Sequence, residues 1–213
     1  MDRIRVIKVG GSLFELPDLR DRIEGWLAEQ KTATNVLIAG GGRLVEHLRQ
    51  LDRVHALGDN ASHWLAISAM RCTAQFLAEL FAKSKKLRAT LIDDLPTILE
   101  TGTSSDVGSV WVFDPEKWMR SVESKVPGCT LPASWDVTSD SISARVAVGL
   151  NAEELVLVKS KVPTETTLAQ ASAEGFVDAF FETAVSGIPS IRCVNLRTFH
   201  EVALSRDSTC RFM

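Results

Sequence analysis

A lysine and two glycine-rich turns are the residues of this chain whose types and spacing indicate chemistry. Lys8 lies near the end of an apolar run, directly before Gly10-Gly11-Ser12, and a second apolar run ends in Gly40-Gly41-Gly42-Arg43. Glycine backbone can approach phosphate oxygens closely because it has no Cβ, and the free N–H groups of a following helix attract anions. Two such turns and one mobile positive charge predict phosphoryl transfer between a nucleotide and a small acceptor.

Each of these residues also has an ordinary structural explanation. Lys8 would otherwise be a strand-end lysine that extends to solvent, and the glycines a plain tight turn. We favour function because Lys8 adjoins Gly10-Gly11 and because three glycines in a row exceed what a turn needs. Arg43 is either a bidentate ligand of an acceptor phosphate or a solvated helix residue, and both alternatives stay open.

The elements that must position these residues alternate between strands and helices. Near-continuous Val/Ile/Leu runs are typical of parallel strands that are covered on both faces. We expect strands at 4–9, 36–39, 89–92, 110–113, 155–158 and 190–194, and helices at 19–29, 43–57, 61–83, 139–150, 167–174 and 197–204. This order predicts an α/β fold: a three-layer α/β/α sandwich with a mainly parallel central sheet.

Loops at the edges of such a sheet are where ligands bind. Two stretches, 100–109 and 125–134, are rich in Gly, Ser, Thr or Pro and are the loop candidates. Ligands of open α/β sheets lie beyond the carboxyl ends of the strands, which is where both glycine turns are expected.

The composition excludes several classes of protein. The chain has 213 residues, 45% hydrophobic and 24% charged, with a net charge of −3, so we expect a folded protein that does not bind nucleic acid. We expect no membrane span, because polar residues such as His63, Arg71 and Glu79 interrupt the apolar stretch 61–81.

Cysteine usage and the start of the chain predict a cytoplasmic location. The four cysteines are far apart and form no CxxC pair, so we expect free thiols rather than disulfides or a zinc site. The N-terminus leads directly into a strand, without the basic and apolar segments of a leader peptide.

Common nucleotide and hydrolase motifs are absent. The sequence contains no GxxxxGK[ST], no GxGxxG after its first strand, and no GxSxG or HExxH. The signal that is left is an order: a KxGGS turn, a GGG turn, an aspartate segment and a late strand.

In that order the sequence resembles the amino acid kinase family over most of its length. The family's turn over the ATP phosphates matches Lys8-Val9-Gly10-Gly11-Ser12, and its acceptor turn matches Ala39-Gly40-Gly41-Gly42. Its orienting aspartate, at a helix start, matches Val137-Thr138-Ser139-Asp140-Ser141. Its strand toward the nucleotide site matches 155–158.

The resemblance implies three sets of site residues and two cofactors, ATP and the Mg²⁺ carried with it, with no metal site on the protein itself. The expected catalytic residues are Lys8, Asp140 and Lys159; the nucleotide phosphates are expected at Gly10, Gly11, Ser12 and Lys161; the acceptor is expected at Gly40, Gly41, Gly42, Arg43, Asp59, His63, Asp136 and Thr138. We expect one domain over 1–213, with the acceptor part at about 1–150.

Several of these roles have alternatives. Asp140 orients Lys8 and a partner lysine or engages Mg²⁺ indirectly, and it also suits the first turn of a helix. Asp136 is expected to face an acceptor amine. Asp59 and His63 are spaced i, i+4 and either line the acceptor pocket together or are a capping aspartate and a packed histidine.

The chain departs from the family where the nucleotide is expected. Many members end the late strand in T-D-V-D-G, whereas this chain has Lys159-Ser160-Lys161-Val162-Pro163. The later segment with a second catalytic lysine and the C-terminal G-T-x-I element are missing. We therefore expect a shortened nucleotide part at about 151–213, in which Lys159 or Lys161 supplies the second charge.

Finer features resemble one branch of the family. Residues 59–70 and 131–141 are similar to kinases of aminomethylfuran phosphate, which make a diphosphate in methanofuran-type one-carbon cofactor biosynthesis. The alternatives are another acceptor, either a carboxylate or a different phosphomonoester, and a non-catalytic ligand-binding or regulatory protein of the same fold. We expect a small-molecule substrate and, from the apolar faces of 61–83, a homo-oligomer.

Overall fold

A computed structural model describes residues 3–101 and 108–206 of the chain. Its strands are β1 (Ile4–Val9), β2 (Thr34–Ala39), β3 (Arg88–Ile92), β4 (Ser109–Phe113), β5 (Glu154–Lys159), β6 (Ser190–Asn195) and β7 (His200–Ala203). Its helices are α1 (Leu19–Ala28), α2 (Gly42–His55), α3 (Asp59–Ala82), α4 (Pro96–Thr101), α5 (Glu116–Ser121), α6 (Ser139–Gly149), α7 (Leu168–Ala173) and α8 (Phe181–Ala184). Short 3₁₀ turns occupy Gly11–Glu15 and Glu123–Lys125.

All seven strands belong to one sheet, in the order β3-β4-β2-β1-β5-β6-β7. Neighbouring strands are parallel except for β6 and β7, which are antiparallel. The strands that lead to the predicted site residues, β2, β1 and β5, are therefore adjacent, and their carboxyl ends meet at one edge of the sheet. The last residues of these three strands are Ala39, Val9 and Lys159.

Helices cover both faces of the sheet, which confirms the predicted three-layer sandwich. On one face, Val6 and Leu155 pack with residues of α6, α7 and α8. On the other face, Ile7 and Val156 pack with α1 and the second half of α3. Alternate residues of β1 and β5 enter opposite cores, as a doubly covered parallel sheet requires.

The helix predicted at 197–204 was wrong. Residues 195–199 reverse the chain, and β7 then pairs with β6 from Asn195 and His200 to Arg192 and Ala203. The Glu201 side chain holds this strand by accepting hydrogen bonds from Trp26 at 2.7 Å and from Arg192 at 2.5 Å. These partners are distant in sequence, so local periodicity did not indicate them.

Helix α3 is the longest helix in the described part of the chain, and by length and hydropathy alone it could cross a membrane. From the sequence we expected no membrane span, because polar residues interrupt this stretch. Ile67 and Met70 of α3 pack into one core, however, and Leu77 and Phe81 pack into the other. Because it contributes to both cores, we interpret α3 as a core helix.

The two predicted loops differ in how much of them can be described. Residues 102–107 of the first loop lie outside the described residues. The second loop, 125–134, is irregular as expected and is held by the buried Arg145 of α6. The Arg145 guanidinium donates to the Glu123 carboxylate at 2.8 Å and to the carbonyls of Val126 and Pro127 at 2.8 and 2.6 Å.

Three of the four cysteines lie within the described residues, and all three are free thiols, as predicted: Cys72, Cys129 and Cys193. Cys210 lies outside the described residues. Cys193 is in β6, and burial raises the pKa of its thiol to about 12, so it remains protonated.

Candidate active site

A cleft of about 540 Å³ lies beyond the carboxyl ends of β1 and β2, and both glycine turns line it. We call it the glycine cleft. Its floor includes Lys8 and Gly11 from β1 and its turn, and Gly40-Gly41-Gly42 from the turn after β2. The sequence prediction that the two turns share one cleft with Lys8 is therefore met by the geometry.

The two turns touch each other, and only glycine permits this contact. A Cβ added at Gly11 would lie 2.3 Å from both the Cα and the backbone N of Gly42. Gly42 itself has φ +57°, a conformation that side chains disfavour. The absence of side chains at both positions brings the two backbones together at the base of the cleft.

The amino end of α2 points its free backbone donors toward this cleft. Gly41, the N-cap of α2, has no side chain that could accept from the first turn, and α2 runs from Gly42 for 14 residues. A helix start without a capping side chain leaves N–H groups available to an anion, and the helix dipole favours negative charge there.

Lys8, Asp140 and Lys159 form a buried ion triad behind the glycine cleft. The Nζ of Lys8 lies 2.9 Å from Oδ1 of Asp140, and the Nζ of Lys159 lies 2.7 Å from Oδ2. The side chains of Lys8 and Asp140 are each 7% exposed, and that of Lys159 is 14% exposed. Two ammonium groups thus share one carboxylate, which leaves the triad with a net positive charge.

The pKa directions follow from this arrangement. Burial alone would raise the pKa of Asp140, but the ammonium groups of Lys8 and Lys159 outweigh it and hold that pKa below its ordinary value. Burial lowers the pKa of Lys159, while Asp140 opposes the change and Lys8 reinforces it. The carboxylate therefore stays ionised and anchors both lysines.

Asp140 owes its position to the first turn of α6. The residue before this helix, Thr138, is its N-cap, and the Oγ1 of Thr138 accepts a hydrogen bond from the Asp140 backbone N at 3.3 Å. This conformation directs the Asp140 side chain toward β1 and β5. A capping threonine and an acidic first turn are common at helix starts, so the structural and functional explanations of Asp140 hold together.

A second cleft of about 450 Å³, which we call the side cleft, lies on the other side of the triad. Asp140 and Lys159 line it, together with residues 175–179 between α7 and α8. Thr138 and Trp135 line both clefts. The triad therefore separates two neighbouring cavities, with Lys8 facing one and Lys159 facing the other.

His63 lines the glycine cleft and is a buried, neutral histidine. Its Nδ1 lies 3.2 Å from the carbonyl oxygen of Ser134. Because a carbonyl only accepts, Nδ1 carries the proton and Nε2 of the neutral ring is an acceptor. Burial lowers the pKa of His63, against the opposing effect of the Ser134 bond.

Basic side chains outnumber acidic ones around the glycine cleft. Lys8, Arg43, Arg49 and Arg197 line it, against Glu15 and Glu46. The Arg43 guanidinium is exposed and pairs with Glu15, donating at 2.8 Å from one of its amino groups. The cleft consequently favours an anionic ligand.

The wall formed by Trp135 is fixed from α2. The Arg49 guanidinium lies 4.4 Å from the centre of the Trp135 ring, and the indole Nε1 donates to the Asp52 carboxylate at 2.8 Å. These contacts hold the end of the 125–134 loop against the cleft.

Some predicted site residues lie elsewhere. Asp59 is exposed at the start of α3 and does not line either cleft, although His63 one turn later does. Asp136 is exposed and lines the side cleft rather than the glycine cleft. Lys161 is exposed and lies outside both linings, so of the two candidate lysines only Lys159 reaches Asp140.

The remaining residues of the first turn connect β1 to β5. The Gly10 backbone N donates to the Val158 carbonyl at 2.8 Å, which ties the turn to β5 without lining the glycine cleft. Ser12 does line the cleft, and its hydroxyl donates to the Ser160 hydroxyl at 3.3 Å.

Three contributors were missed by sequence reasoning: Arg49, Arg197 and Asp178. Arg49 lies within an amphipathic helix and Arg197 in a loop after β6, and neither position carries a motif. Asp178 precedes α8 and belongs to no sequence motif. Its main hydrogen-bond partners are about 40 residues earlier, at the start of α6.

The described residues suit a nucleotide's phosphates better than a bare metal ion. Within 3–101 and 108–206, no group of three or more His, Cys, Asp or Glu side chains is close enough to hold a metal. Gly11 and Gly42 bring backbone without side chains to the base of the cleft, where the two turns are in contact, and the two ammonium groups of the triad lie nearby. Phosphate oxygens fit this surface, and a Mg²⁺ ion would be held mainly by those oxygens.

Comparison with known proteins supports the family resemblance seen in the sequence. Residues 3–162 match the sequence profile of the amino acid kinase family. A curated relative, "[5-(aminomethyl)furan-3-yl]methyl phosphate kinase" of Methanocaldococcus jannaschii, is 23% identical over 155 residues. This alignment covers 72% of the chain and 64% of the relative, so the chain spans less than two thirds of that protein's length.

Solved structures share the fold. UMP kinase from Ureaplasma parvum aligns with a TM-score of 0.60 at 13% identity, covering 94% of this chain and 93% of that one. UMP kinase from Bacillus anthracis aligns with a TM-score of 0.60 at 13% identity, covering 92% and 88%. Uridylate kinase from Archaeoglobus fulgidus aligns with a TM-score of 0.56 at 16% identity, covering 96% and 91%. These relatives are all named as kinases.

Proposed function

Because the chain belongs to the amino acid kinase family, we propose that it is a kinase that transfers the γ-phosphoryl group of ATP to a small phosphorylated acceptor, namely aminomethylfuran phosphate. An oxygen of the acceptor phosphate forms a bond to the γ-phosphorus, and the bond from that phosphorus to the β–γ bridging oxygen breaks. The products are ADP and the acceptor diphosphate.

The observation that carries this proposal is the contact between the two glycine turns beside Lys8. Two phosphates that react with each other repel strongly, so they must be brought together by donors and positive charge. The contact of Gly11 with Gly42 places two anion-attracting backbones next to each other, and the Lys8 ammonium lies at the same cleft. Phosphoryl transfer is catalysed mainly by such positioning and charge stabilisation.

In this proposal Asp140 fixes the two ammonium groups, and the lysines stabilise charge on the transferred group. One carboxylate between two lysines keeps both Nζ atoms in place but neutralises only one positive charge. The residual charge is then available to the phosphoryl oxygens. Lys159 thereby supplies the positive charge that, in other members of the family, comes from a second catalytic lysine in a later segment.

The acceptor is proposed to occupy the glycine cleft. Its phosphate would bind the amino end of α2 and the basic side chains Arg49 and Arg197, which line the cleft. The neutral His63 ring offers an acceptor nitrogen to an ammonium group, which suits the aminomethyl substituent. The Methanocaldococcus jannaschii relative is named for this acceptor.

A turnover assay with purified protein tests the proposal. ADP formation from Mg-ATP should depend on aminomethylfuran phosphate, and the corresponding furan phosphate without the amine and UMP should be poorer acceptors. Lys8→Met should lower turnover by about 10²- to 10³-fold because it removes a charge from the transferred group. Lys83→Met, which changes an exposed lysine at the end of α3, should leave turnover unchanged.

The same assay separates the alternatives. Turnover with another phosphomonoester or a carboxylate, but not with the aminomethylfuran phosphate, would show that the protein is a kinase with a different acceptor. A protein whose thermal stability responds to no nucleotide and which forms no ADP would be a non-catalytic binding protein of this fold.

The proposal extends to assembly and location. Exposed apolar side chains on α2 and α3, among them Val54 at 75% and Phe76 at 45% exposure, suit association with a second copy. The free thiols suit a cytoplasmic protein. Val54→Lys should reduce the mass measured by light scattering if α2 forms the contact, and an unchanged mass would exclude that face.

A further inference from the structure

Residues 175–179, between α7 and α8, contact Lys159 of the ion triad and the first turn of α6. The Lys159 Nζ donates a hydrogen bond to the Phe176 carbonyl oxygen and lies 4.3 Å from the centre of the Phe176 ring. Two residues later, the Asp178 carboxylate binds the start of α6, the helix that carries Asp140. One short segment thus holds the lysine and the helix of its carboxylate partner.

The Asp178 carboxylate accepts five hydrogen bonds. Oδ2 accepts from the Thr138 backbone N at 3.1 Å, from the Thr138 hydroxyl at 2.7 Å and from the Ser141 backbone N at 3.1 Å. Oδ1 accepts from the Ser141 hydroxyl and from the Phe180 backbone N at 3.1 Å. Backbone donors at a helix start have no partner within the helix, and a carboxylate is favoured there by the helix dipole.

The bonds to Asp178 bracket Asp140. Thr138 and Ser141 lie on either side of Asp140, and the Asp140 backbone N itself donates to the Thr138 hydroxyl oxygen. Because Asp178 binds the residues on both sides of Asp140, it fixes the local backbone from which the Asp140 side chain extends. The Asp140 carboxylate takes no part in this capping and is left to bind Lys8 and Lys159.

The segment itself is anchored firmly enough to serve as a support. Phe176 and Val177 are buried in the core, at 4% exposure each. Their backbone N–H groups both donate to the Ala171 carbonyl at the end of α7, at 2.9 and 3.3 Å. Asp178 therefore extends from a packed structure rather than from a free loop.

From these contacts we infer that Asp178 is a positioning residue, which holds Asp140 in register with the two lysines by fixing the first turn of α6. The expected effect on turnover rests on the proposed phosphoryl transfer, whereas the expected effect on α6 does not. Removal of the Asp178 side chain frees the amides of Thr138 and Ser141 and lets Asp140 move away from Lys8 and Lys159.

Two substitutions distinguish hydrogen bonding from charge. Asp178→Ala removes every bond that the side chain accepts. Asp178→Asn keeps one carbonyl oxygen for the Thr138 and Ser141 amides but carries no charge. Its NH₂ group can donate to the Ser141 hydroxyl, although it cannot accept from the Phe180 backbone N, so that one bond outside α6 is lost. The matched control is Glu174→Ala, since the Glu174 carboxylate lies in the same region and, within the described part of the chain, accepts only from the Thr164 backbone N, at 3.0 and 3.4 Å.

Hydrogen exchange of the ligand-free protein gives the first readout. The Thr138 and Ser141 amides should exchange about tenfold faster or more in Asp178→Ala, as expected for the loss of a helix cap. They should keep their protection in Asp178→Asn and Glu174→Ala. Unchanged exchange in Asp178→Ala would overturn the inference whether or not the protein is a kinase.

Turnover gives the second readout. In Asp178→Ala, kcat should fall by about 10- to 100-fold through misplacement of the triad, with KM for ATP and acceptor little changed. Asp178→Asn should restore most of kcat. Equal losses in Asp178→Asn and Asp178→Ala would overturn the inference in favour of a charge effect. If exchange is faster in Asp178→Ala but the wild-type protein forms no ADP, only the proposed function is rejected.

A folding defect does not remove the test. If Asp178→Ala does not fold, Ser141→Ala deletes only the hydroxyl that donates to Asp178. Faster exchange at Thr138 together with lower kcat in that variant would support the inference. No change in either would contradict it.

Discussion

The same two strands carry buried charges at both ends, and the two ends are built differently. At the amino end, Arg5 of β1 and Glu154 of β5 are register partners and form an ion pair at 2.5 Å. At the carboxyl end, Lys8 of β1 and Lys159, which ends β5, share the carboxylate of Asp140. The amino end pairs its charges with acids and carbonyls, whereas the carboxyl end keeps a positive excess beside two cavities.

The partners at the amino end leave little capacity for a ligand. The Arg5 guanidinium also donates to the Asn35 side chain at 3.0 Å and to the Lys31 carbonyl at 3.1 Å. Glu154 accepts in addition from Arg192 at 2.7 Å, and Arg192 also pairs with Glu201, so that the two arginines face two carboxylates. Burial opposes the ionisation of Glu154, but the arginines outweigh it and hold its pKa below the ordinary value. Buried charge alone is thus no sign of a site; unbalanced charge beside glycine backbone is.

The largest effect is expected from Asp140→Asn, which breaks the carboxyl end. Two buried ammonium groups would face a neutral amide, so the variant should lose about 3–5 kcal/mol of unfolding free energy and about 10³-fold in turnover. Urea denaturation and the ADP assay measure the two losses. Lys8→Met is the control, because it leaves one lysine on one carboxylate and should lose turnover without losing stability.

Arg5→Met tests the opposite end. It removes a cation from a balanced cluster and should cost about 3 kcal/mol of unfolding free energy, with turnover per folded molecule unchanged. Denaturation melts and assays corrected for the folded fraction give both values. A large loss of turnover in the folded protein would mean that the two ends of the strands are energetically coupled and do not have separate roles.

Gly11→Ala tests whether the close contact of the two glycine turns at the carboxyl end is needed for turnover. The new Cβ would meet Gly42 at 2.3 Å, so the turns must separate, at a cost of about 1–3 kcal/mol and about 100-fold in turnover. Gly25→Ala in α1 is the matched control: a Cβ there meets nothing within 4 Å and should stabilise the helix by about 0.5–1 kcal/mol. Wild-type turnover in Gly11→Ala would show that the contact is dispensable.

The smallest effect concerns His63 and pH. Its pKa is lowered in the folded protein from an ordinary value of 6.5, so the unfolded chain takes up the proton first as pH falls below that value. Stability should therefore decline through the pH range below 6.5. His63→Gln should flatten that decline in denaturation curves between pH 7.5 and pH 5, and an identical decline in the variant would assign it to other groups.

Much of the carboxyl end could be predicted from sequence because its signals are local. Lys8 adjoins its glycines, Gly40-Gly41-Gly42 is contiguous, and Asp140 follows a capping threonine. Strands β1 to β6 and the long helices also follow apolar periodicity, and their predicted limits differ from the observed ones by two residues or fewer. Because these patterns depend on residues that are close in sequence, the elements could be predicted from sequence alone.

What the sequence did not indicate depends on partners far apart in the chain. Asp178 looks like a residue that caps the next helix, and it does accept from Phe180, yet most of its bonds go to α6. Residues 197–204 were predicted as a helix because nothing nearby signals that the free edge of β6 would take β7. Arg49 and Arg197 meet at the cleft only through the sheet order.

The strand order has a consequence for synthesis on the ribosome. Strand β1 lies between β2, which follows it closely, and β5, which begins about 150 residues later at Glu154. Until β5 leaves the exit tunnel, one edge of β1 is unpaired and Lys8 has no neighbouring Lys159. The nascent protein must therefore protect this open strand edge until β5, Glu154–Lys159, has been synthesised, and the ion triad is completed only then.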